Sequence, residues 1–143
     1  MKPGDYRVMP RFLINALQGQ ALPIHGNGLQ TRTYCYVTDA ISGFLRILLL
    51  GQSGEVYNIG NQDNEINLIE LAKMVSDLFG GQVKVEKIPY SSAYPADEPN
   101  RRCPDITKAK TELGYYPTVD IKTGLARLLQ WYRDEFFYER KST

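Results

Sequence analysis

The feature that most limits the possible folds is the spacing of glycine and proline, which divides the chain into short segments. The 143 residues contain 12 Gly and 8 Pro, and turn-forming residues of this kind separate each apolar or alternating stretch from the next. Alternating and β-branched stretches predict short strands over 22–25, 31–37, 55–59 and 83–88. Strands this short and scattered do not make a complete doubly wound sheet, so they fit an accessory layer better.

Helical periodicity fills the segments between these strands. Apolar residues three and four apart predict helices over 11–18, 39–50 and 67–79 and from 120 onward, with a short one over 105–113. Asn67 followed by Glu70 has the spacing of a capping box. The apolar stripe that we expect the second helix to bury consists of Ile41, Leu45, Leu48 and Leu49. The pattern predicts an α/β fold, more closely an α+β accessory domain, with about four helices and short strands.

Composition and charge exclude several classes of protein. Hydrophobic residues make up 43% and charged residues 23% of the chain, as in soluble globular proteins. The net charge of +1 lacks the basic excess of a nucleic-acid-binding domain. No apolar stretch is long enough to cross a bilayer and no secretory signal is present, so we expect no membrane partner and a cytoplasmic location. Cys35, Cys103 and His25 lack metal-ligand spacing, so we predict no metal site.

The glycines also lack the pattern of a dinucleotide-binding turn. Gly26 and Gly28 match the first two glycines of G-x-G-x-x-G, but Thr31 stands where the third glycine is required. No Walker-type G-x-x-x-x-G-K occurs either. We therefore predict no cofactor site within this chain.

Two turn-rich segments hold the residues best suited to bind an anion. The segment GNGLQTR over 26–32 ends on Arg32, and DEPNRRCPDI over 97–106 carries Arg101 and Arg102 on a proline-containing loop. A guanidinium group offers five donors in a planar fork that matches a phosphate or a carboxylate. Both segments can equally be surface turns whose arginines are solvated or paired with neighbouring carboxylates.

Taken together, the motifs resemble those of one family. They are LPIHGNGLQTRTYCYVTD over 22–39, VYNIGN over 56–61, DEPNRRCPDITKAK over 97–110 and LGYYP over 113–117. In order and spacing they resemble the C-terminal part of the extended short-chain dehydrogenase/reductases that act on nucleotide sugars, the NAD-dependent epimerase/dehydratase family. The stretch from 97 is most similar to the UDP-glucuronate decarboxylase (UDP-xylose synthase) branch.

The resemblance implies a division of labour between two halves of an enzyme. Relatives carry first an NAD-binding Rossmann half, with a catalytic Tyr followed four residues later by Lys, and no tyrosine here has Lys at that offset. Residues 1–143 would then be a single C-terminal nucleotide-sugar-binding domain, without catalytic residues and inactive alone, with NAD bound only in the intact enzyme. Its implied partners are a UDP-sugar and the Rossmann half, with self-association where that half is absent. The alternative is a non-catalytic binding or interaction module derived from the family.

The resemblance also implies roles for individual residues. Arg32 matches an arginine that contacts the nucleotide phosphates, and Arg102 matches one that grips the diphosphate from the opposite loop, with Arg101 as the fallback. The residues implied on the nucleoside side are Gln30 and Glu98 near the ribose, and Pro23, Ile24 and His25 on the strand that runs past the nucleoside.

Overall fold

The structure, a computed structural model, describes residues 7–90 and 99–137, and the contacts of the chain divide it into two compact units. Unit 1 draws on Met1–Gln30, Asn67–Pro99 and Leu125–Thr143. Unit 2 consists of Thr31–Ile66 and Asn100–Gly124. That residues 1–143 form a single domain stays a prediction.

Helices and short strands alternate along the chain, which confirms the predicted α/β class. The α-helices of the described residues are α1 (Val8–Leu17), α2 (Val37–Leu50), α3 (Leu68–Asp77), α4 (Thr107–Leu113) and α5 (Ile121–Tyr132). The strands are β1 (Leu22–His25), β2 (Thr31–Thr33), β3 (Glu65–Asn67), β4 (Val85–Ile88) and β5 (Arg101–Arg102). A 3₁₀ turn covers Gln62–Asn64, and a π-helical turn covers Arg133–Phe137. No helix among these is long and apolar enough to span a membrane.

Unit 1 packs α1 and α3 against a two-stranded parallel sheet. β1 pairs with β4 in a register that runs from Leu22↔Val85 to His25↔Ile88. The fully buried apolar side chains of this unit include Phe12, Leu13, Leu22, Ile24, Leu71 and Val75. The predicted capping box begins α3: Asn67 Oδ1 accepts from the Glu70 amide at 2.9 Å, and Glu70 Oε2 accepts from the Asn67 amide at 3.4 Å.

Unit 2 is built around a small core and a three-stranded sheet. The sheet has the order β3-β2-β5, with β2 and β5 parallel. The core consists of Ile106, Ala109, Leu113 and Tyr115, with Ile47, Tyr57 and Ile59 packed against it. The Tyr115 hydroxyl donates to the Gly60 carbonyl at 2.9 Å, so this buried polar group has a hydrogen-bond partner.

The prediction that α2 buries its apolar stripe is wrong for the described residues of unit 2. Leu48 is 78% and Leu49 76% exposed, and Ile41 and Leu45 are exposed as well. The helix turns Asp39 and Gly43 inward instead, and Gly43 packs so closely that a Cβ there would lie 2.6 Å from Ile59 Cγ2. The close approach at Gly43 fixes which side of α2 faces the unit, and the leucine side faces away.

Two strand predictions also need correction. Residues 55–59, all of them described, form no strand, and Val56 is 80% exposed. An alternating segment becomes a strand only when a neighbour pairs with its backbone, and none of the described residues does so here. β2 ends at Thr33 rather than at 37, because α2 already begins at Val37, and β5 lies within the stretch predicted to be a loop.

Candidate functional site

Arg32 and Arg102 are brought together by the pairing of β2 with β5. Thr31 stands opposite Arg101, and Arg32 stands opposite Arg102. The Thr31 amide donates to the Asn100 carbonyl at 2.8 Å, which extends the ladder by one bond. Because side chains alternate along a strand and paired positions of parallel strands share a face, Arg32 and Arg102 project from one face of the sheet. Two arginines far apart in sequence are therefore neighbours.

The opposite face of the same strands carries a carboxylate clasp. Arg101 donates from Nε to Glu65 Oε1 and from Nη2 to Glu65 Oε2, both at 2.8 Å. The Thr31 hydroxyl donates to Glu65 Oε1 at 2.6 Å. These hydrogen bonds, above all those of Arg101, lower the pKa of Glu65 from 4.5 to about 2. Arg101 thus has its fork engaged by a carboxylate, on the other face from Arg32 and Arg102.

A half-buried tyrosine whose hydroxyl is buried, Tyr34, lies close along the chain to Arg32. Burial raises the pKa of Tyr34 to about 12, and the positive charge of Arg32 acts in the opposite direction. Arg32 itself donates from Nη1 to the Thr31 carbonyl at 2.7 Å. Among the described residues nothing hydrogen-bonds to the buried Tyr34 hydroxyl. A buried polar atom without a protein partner is unusual, and it is expected where a ligand or a water completes a site.

Those residues implied on the nucleoside side that the structure describes lie in unit 1. The rings of His25 and Tyr90 stack with their centroids 6.3 Å apart and an angle of 28° between the planes. Gln30, which is buried, donates from Nε2 to the Tyr90 hydroxyl at 2.9 Å and to the His25 carbonyl at 3.3 Å. Pro23 is half-buried, whereas the Ile24 side chain is fully buried in the core. Within the described part of the chain, Gln30 Oε1 is a buried acceptor that receives no hydrogen bond.

Sequence reasoning missed Tyr90 and Glu65. The one sequence signal near Tyr90 was the glycine at position 26, where the structure shows a φ of +70° and no room for a Cβ beside the Tyr90 ring. Glu65 had no local signal, because its partners are distant in sequence. Glu98 lies outside the described residues. The structure thus brings together Arg32 and Arg102 in one unit, and Gln30 and His25 in the other.

The described residues contain no group of three His, Cys, Asp or Glu side chains that could hold a metal ion. The turn at Gly26–Gly28 leads into β2 and not into a helix. A nucleotide pyrophosphate is normally bound where a glycine-rich turn opens a helix N-terminus, so this turn does not fit NAD.

The model of the NAD dependent epimerase/dehydratase family matches residues 1–60. UDP-glucuronic acid decarboxylase 1 of Danio rerio is 34% identical over 139 residues, which are 97% of this chain and 32% of that protein. UDP-N-acetyl-alpha-D-glucosaminuronate decarboxylase of Bacillus cytotoxicus is 36% identical over 137 residues, 93% of this chain and 42% of that protein.

Solved structures agree with the sequence comparison. The epimerase Mth375 of Methanothermobacter thermautotrophicus superposes with a TM-score of 0.83 at 31% identity, over 95% of this chain and 40% of its own. UDP-glucuronic acid 4-epimerase of Bacillus cereus, in complex with UDP-glucuronic acid and NAD, gives 0.81 at 28% identity, over 92% and 41%. The chain spans less than half of the length of each of these relatives. By sequence and by fold, the chain is related over nearly its whole length to the NAD-dependent epimerase/dehydratase family of extended short-chain dehydrogenase/reductases.

Proposed function

We propose that this chain is the nucleotide-sugar-binding part of an NAD-dependent enzyme that decarboxylates, epimerises or dehydrates the sugar of a nucleotide sugar. UDP-glucuronate decarboxylation is the first candidate reaction, because relatives bearing that activity in their names match over more than nine tenths of this chain. The observation that carries the proposal is the register of β2 and β5, which pairs Arg32 with Arg102.

The arginine pair suits a diphosphate for electrostatic and geometric reasons. A nucleotide diphosphate joined to a sugar carries about two negative charges, one for each guanidinium group in a charge-assisted pair. The planar forks bind two oxygens each and so set the orientation of the ligand as well as its affinity. The pairing of β2 with β5 sets the two arginines side by side before a ligand binds, so less order has to be gained on binding.

When bound, NAD would supply a reversible hydride acceptor for the sugar. Because the Gly26–Gly28 turn fits NAD poorly, we propose that residues other than those described here bind that cofactor. This chain's own contribution would be to hold the substrate by its diphosphate. Binding energy from this non-reacting part of the substrate can position the sugar for chemistry elsewhere.

The exposed face of α2 supports a partner for unit 2. Ile41, Leu45 and Leu49 line a groove of about 490 Å³ on this helix. Residues 55–59 of the same unit are extended in sequence pattern but are not paired with another strand among the described residues. An unpaired strand-like segment can join a neighbouring sheet, and an exposed apolar helix face is a surface that a partner buries. We assign this surface to an NAD-binding half of the enzyme.

Titration calorimetry with UDP on the full-length protein tests the proposed function. Arg32→Ala and Arg102→Ala should each weaken UDP binding by about 1.5–3 kcal/mol, because each removes a hydrogen bond between charged groups. Arg32→Lys and Arg102→Lys should recover part of the loss, since an ammonium group replaces the charge but not the fork.

The matched control is Arg127→Ala, which removes an exposed arginine of α5 in unit 1. It should leave the dissociation constant of UDP unchanged. Uridine, which lacks the diphosphate, should bind equally weakly to the parent and to both alanine variants. If both alanine variants bound UDP as tightly as the parent, the arginines would be surface charges and the proposal would fail.

A further inference from the structure

The clasp formed by Glu65 joins all three strands of the unit 2 sheet from the face opposite the arginine pair. Glu65 lies on β3, and its carboxylate accepts from Thr31 on the central strand and from Arg101 on the far edge strand. Three hydrogen bonds of 2.6 to 2.8 Å converge on two oxygens. Because these hydrogen bonds join β5 to β2 and β3, they can fix the alignment of β5 with its neighbour.

β5 is poorly held by its backbone alone. It contains two residues, and both are exposed. A strand this short gains little from its ladder, and a slip by one residue would turn its side chains to opposite faces. Arg101 therefore has to stay opposite Thr31 for Arg102 to stay opposite Arg32.

We propose that Glu65 is a positioning residue for diphosphate binding: by clasping Thr31 and Arg101 on one face of the sheet, it sets the register that places Arg102 beside Arg32 on the other. The inference rests on the proposed function for the identity of the ligand, and on the contacts of Glu65 for the register. It also gives Arg101 a role other than that of the fallback phosphate ligand. Arg101 engages Glu65, so that its neighbour can face the ligand.

A competing interpretation makes an opposite prediction about the same carboxylate. If Arg101 were itself the phosphate ligand, Glu65 would compete with the phosphate for its guanidinium group. Removing the negative charge of Glu65 would then release Arg101 and strengthen UDP binding. The sign of the change in affinity therefore separates the two interpretations.

Glu65→Gln in the full-length protein is the test, since glutamine keeps the size of the side chain and removes its charge. UDP binding should weaken about tenfold, the loss expected when a charge-assisted hydrogen bond is removed. In the Glu65→Gln background, a further Arg102→Ala substitution should cost clearly less than it does in the parent, because Arg102 is already misplaced. Equal costs in the two backgrounds, or tighter UDP binding by Glu65→Gln, would overturn the proposal.

Glu55→Gln is the matched control. Glu55 is also a glutamate of unit 2 that pairs with a cation, Lys108, but it contacts neither β2 nor β5 in the described structure. This variant should leave both the affinity for UDP and the coupling with Arg102 unchanged.

A second measurement needs no ligand. The Thr31 amide donates to the Asn100 carbonyl, so its hydrogen exchange reports the pairing of β2 with the chain that enters β5. Exchange at Thr31 should accelerate in Glu65→Gln and stay at the parent rate in Glu55→Gln. Unchanged exchange in Glu65→Gln would overturn the positioning role. Accelerated exchange in Glu65→Gln, with a parent that fails to bind UDP, would support the control of strand register by Glu65 and refute the proposed function.

Discussion

In unit 2, single carboxylate and amide side chains form hydrogen bonds with backbone groups that are distant in sequence. Asp39 is buried near the start of α2, and its Oδ2 accepts from the amides of Thr118 and Val119 at 3.1 and 2.9 Å. Asn64 donates to the Val119 carbonyl at 3.0 Å and accepts from the Ile121 amide at 3.1 Å. These side chains tie the segment before α5 to the rest of the unit, because they satisfy backbone groups that no regular element pairs.

The lowered pKa of Glu65 predicts a loss of stability in acid. Its pKa in the folded protein, about 2, lies below the ordinary value of 4.5. The stabilisation is therefore present above pH 4.5 and is lost as the pH falls towards 2. Urea unfolding at a series of pH values should show a shallower decline of the unfolding free energy over this interval in Glu65→Gln than in the parent.

Glu86→Gln, which removes an exposed carboxylate on β4, serves as the comparison and should follow the parent curve. A Glu65→Gln protein that lost stability as steeply as the parent between pH 4.5 and 2 would show that the clasp does not titrate as its contacts imply.

At the scale of elements, local signals in the sequence located most helices, but they did not determine which surfaces the helices bury. The capping box at Asn67 and the turn at Gly114, whose φ is +60°, depend on neighbouring residues and were readable from the sequence. The exposure of the leucine side of α2 could not be read from the sequence. Its periodicity is the same whether the partner lies in the described residues or elsewhere, so the pattern shows amphipathicity and not the partner.

Strand pairing shows the same limit at the candidate site. Arg32 and Arg102 were singled out by residue type and by family resemblance, and their direct pairing became visible only with the register of β2 and β5. Glu65 could not be found from the sequence, because its role depends on two partners on other strands. A single sequence carries no information about such contacts beyond the chemistry of each residue.

The exposed leucines of α2 predict self-association of the 143-residue chain. Sedimentation velocity should show a sedimentation coefficient that rises with protein concentration, because the helix presents a contiguous apolar face. The double substitution Leu48→Glu and Leu49→Glu should abolish this rise. It should leave the unfolding free energy nearly unchanged, since both side chains are already in water.

Leu29→Glu removes an exposed leucine outside α2 and should associate like the parent. A parent chain that sedimented as a monomer at every concentration would contradict the assignment of this face to a partner.

At the scale of the whole molecule, the chain combines an arginine pair, which we propose binds a diphosphate, with a turn that does not fit a dinucleotide. We therefore expect the 143-residue chain to show no measurable binding of NAD in calorimetry, because the Gly26–Gly28 turn enters a strand and offers no helix N-terminus to the pyrophosphate. Under the proposed function, UDP titrated into the same sample should bind and so serves as the positive control for a folded protein. A micromolar dissociation constant for NAD would contradict this expectation.

The interleaving of the two units along the chain has a consequence for the timing of folding during synthesis. Leu22 pairs with Val85 and Arg32 with Arg102, so neither sheet closes until a much later segment has left the ribosome. Unit 1 also takes residues from Leu125 onward, which follow the last segment of unit 2. Pairings of this kind form slowly and leave apolar segments open to chaperones in the meantime. A nascent chain that has reached residue 100 holds Arg32 without the strand that will stand beside it, so the proposed anion site can form only after Arg102 has been synthesised.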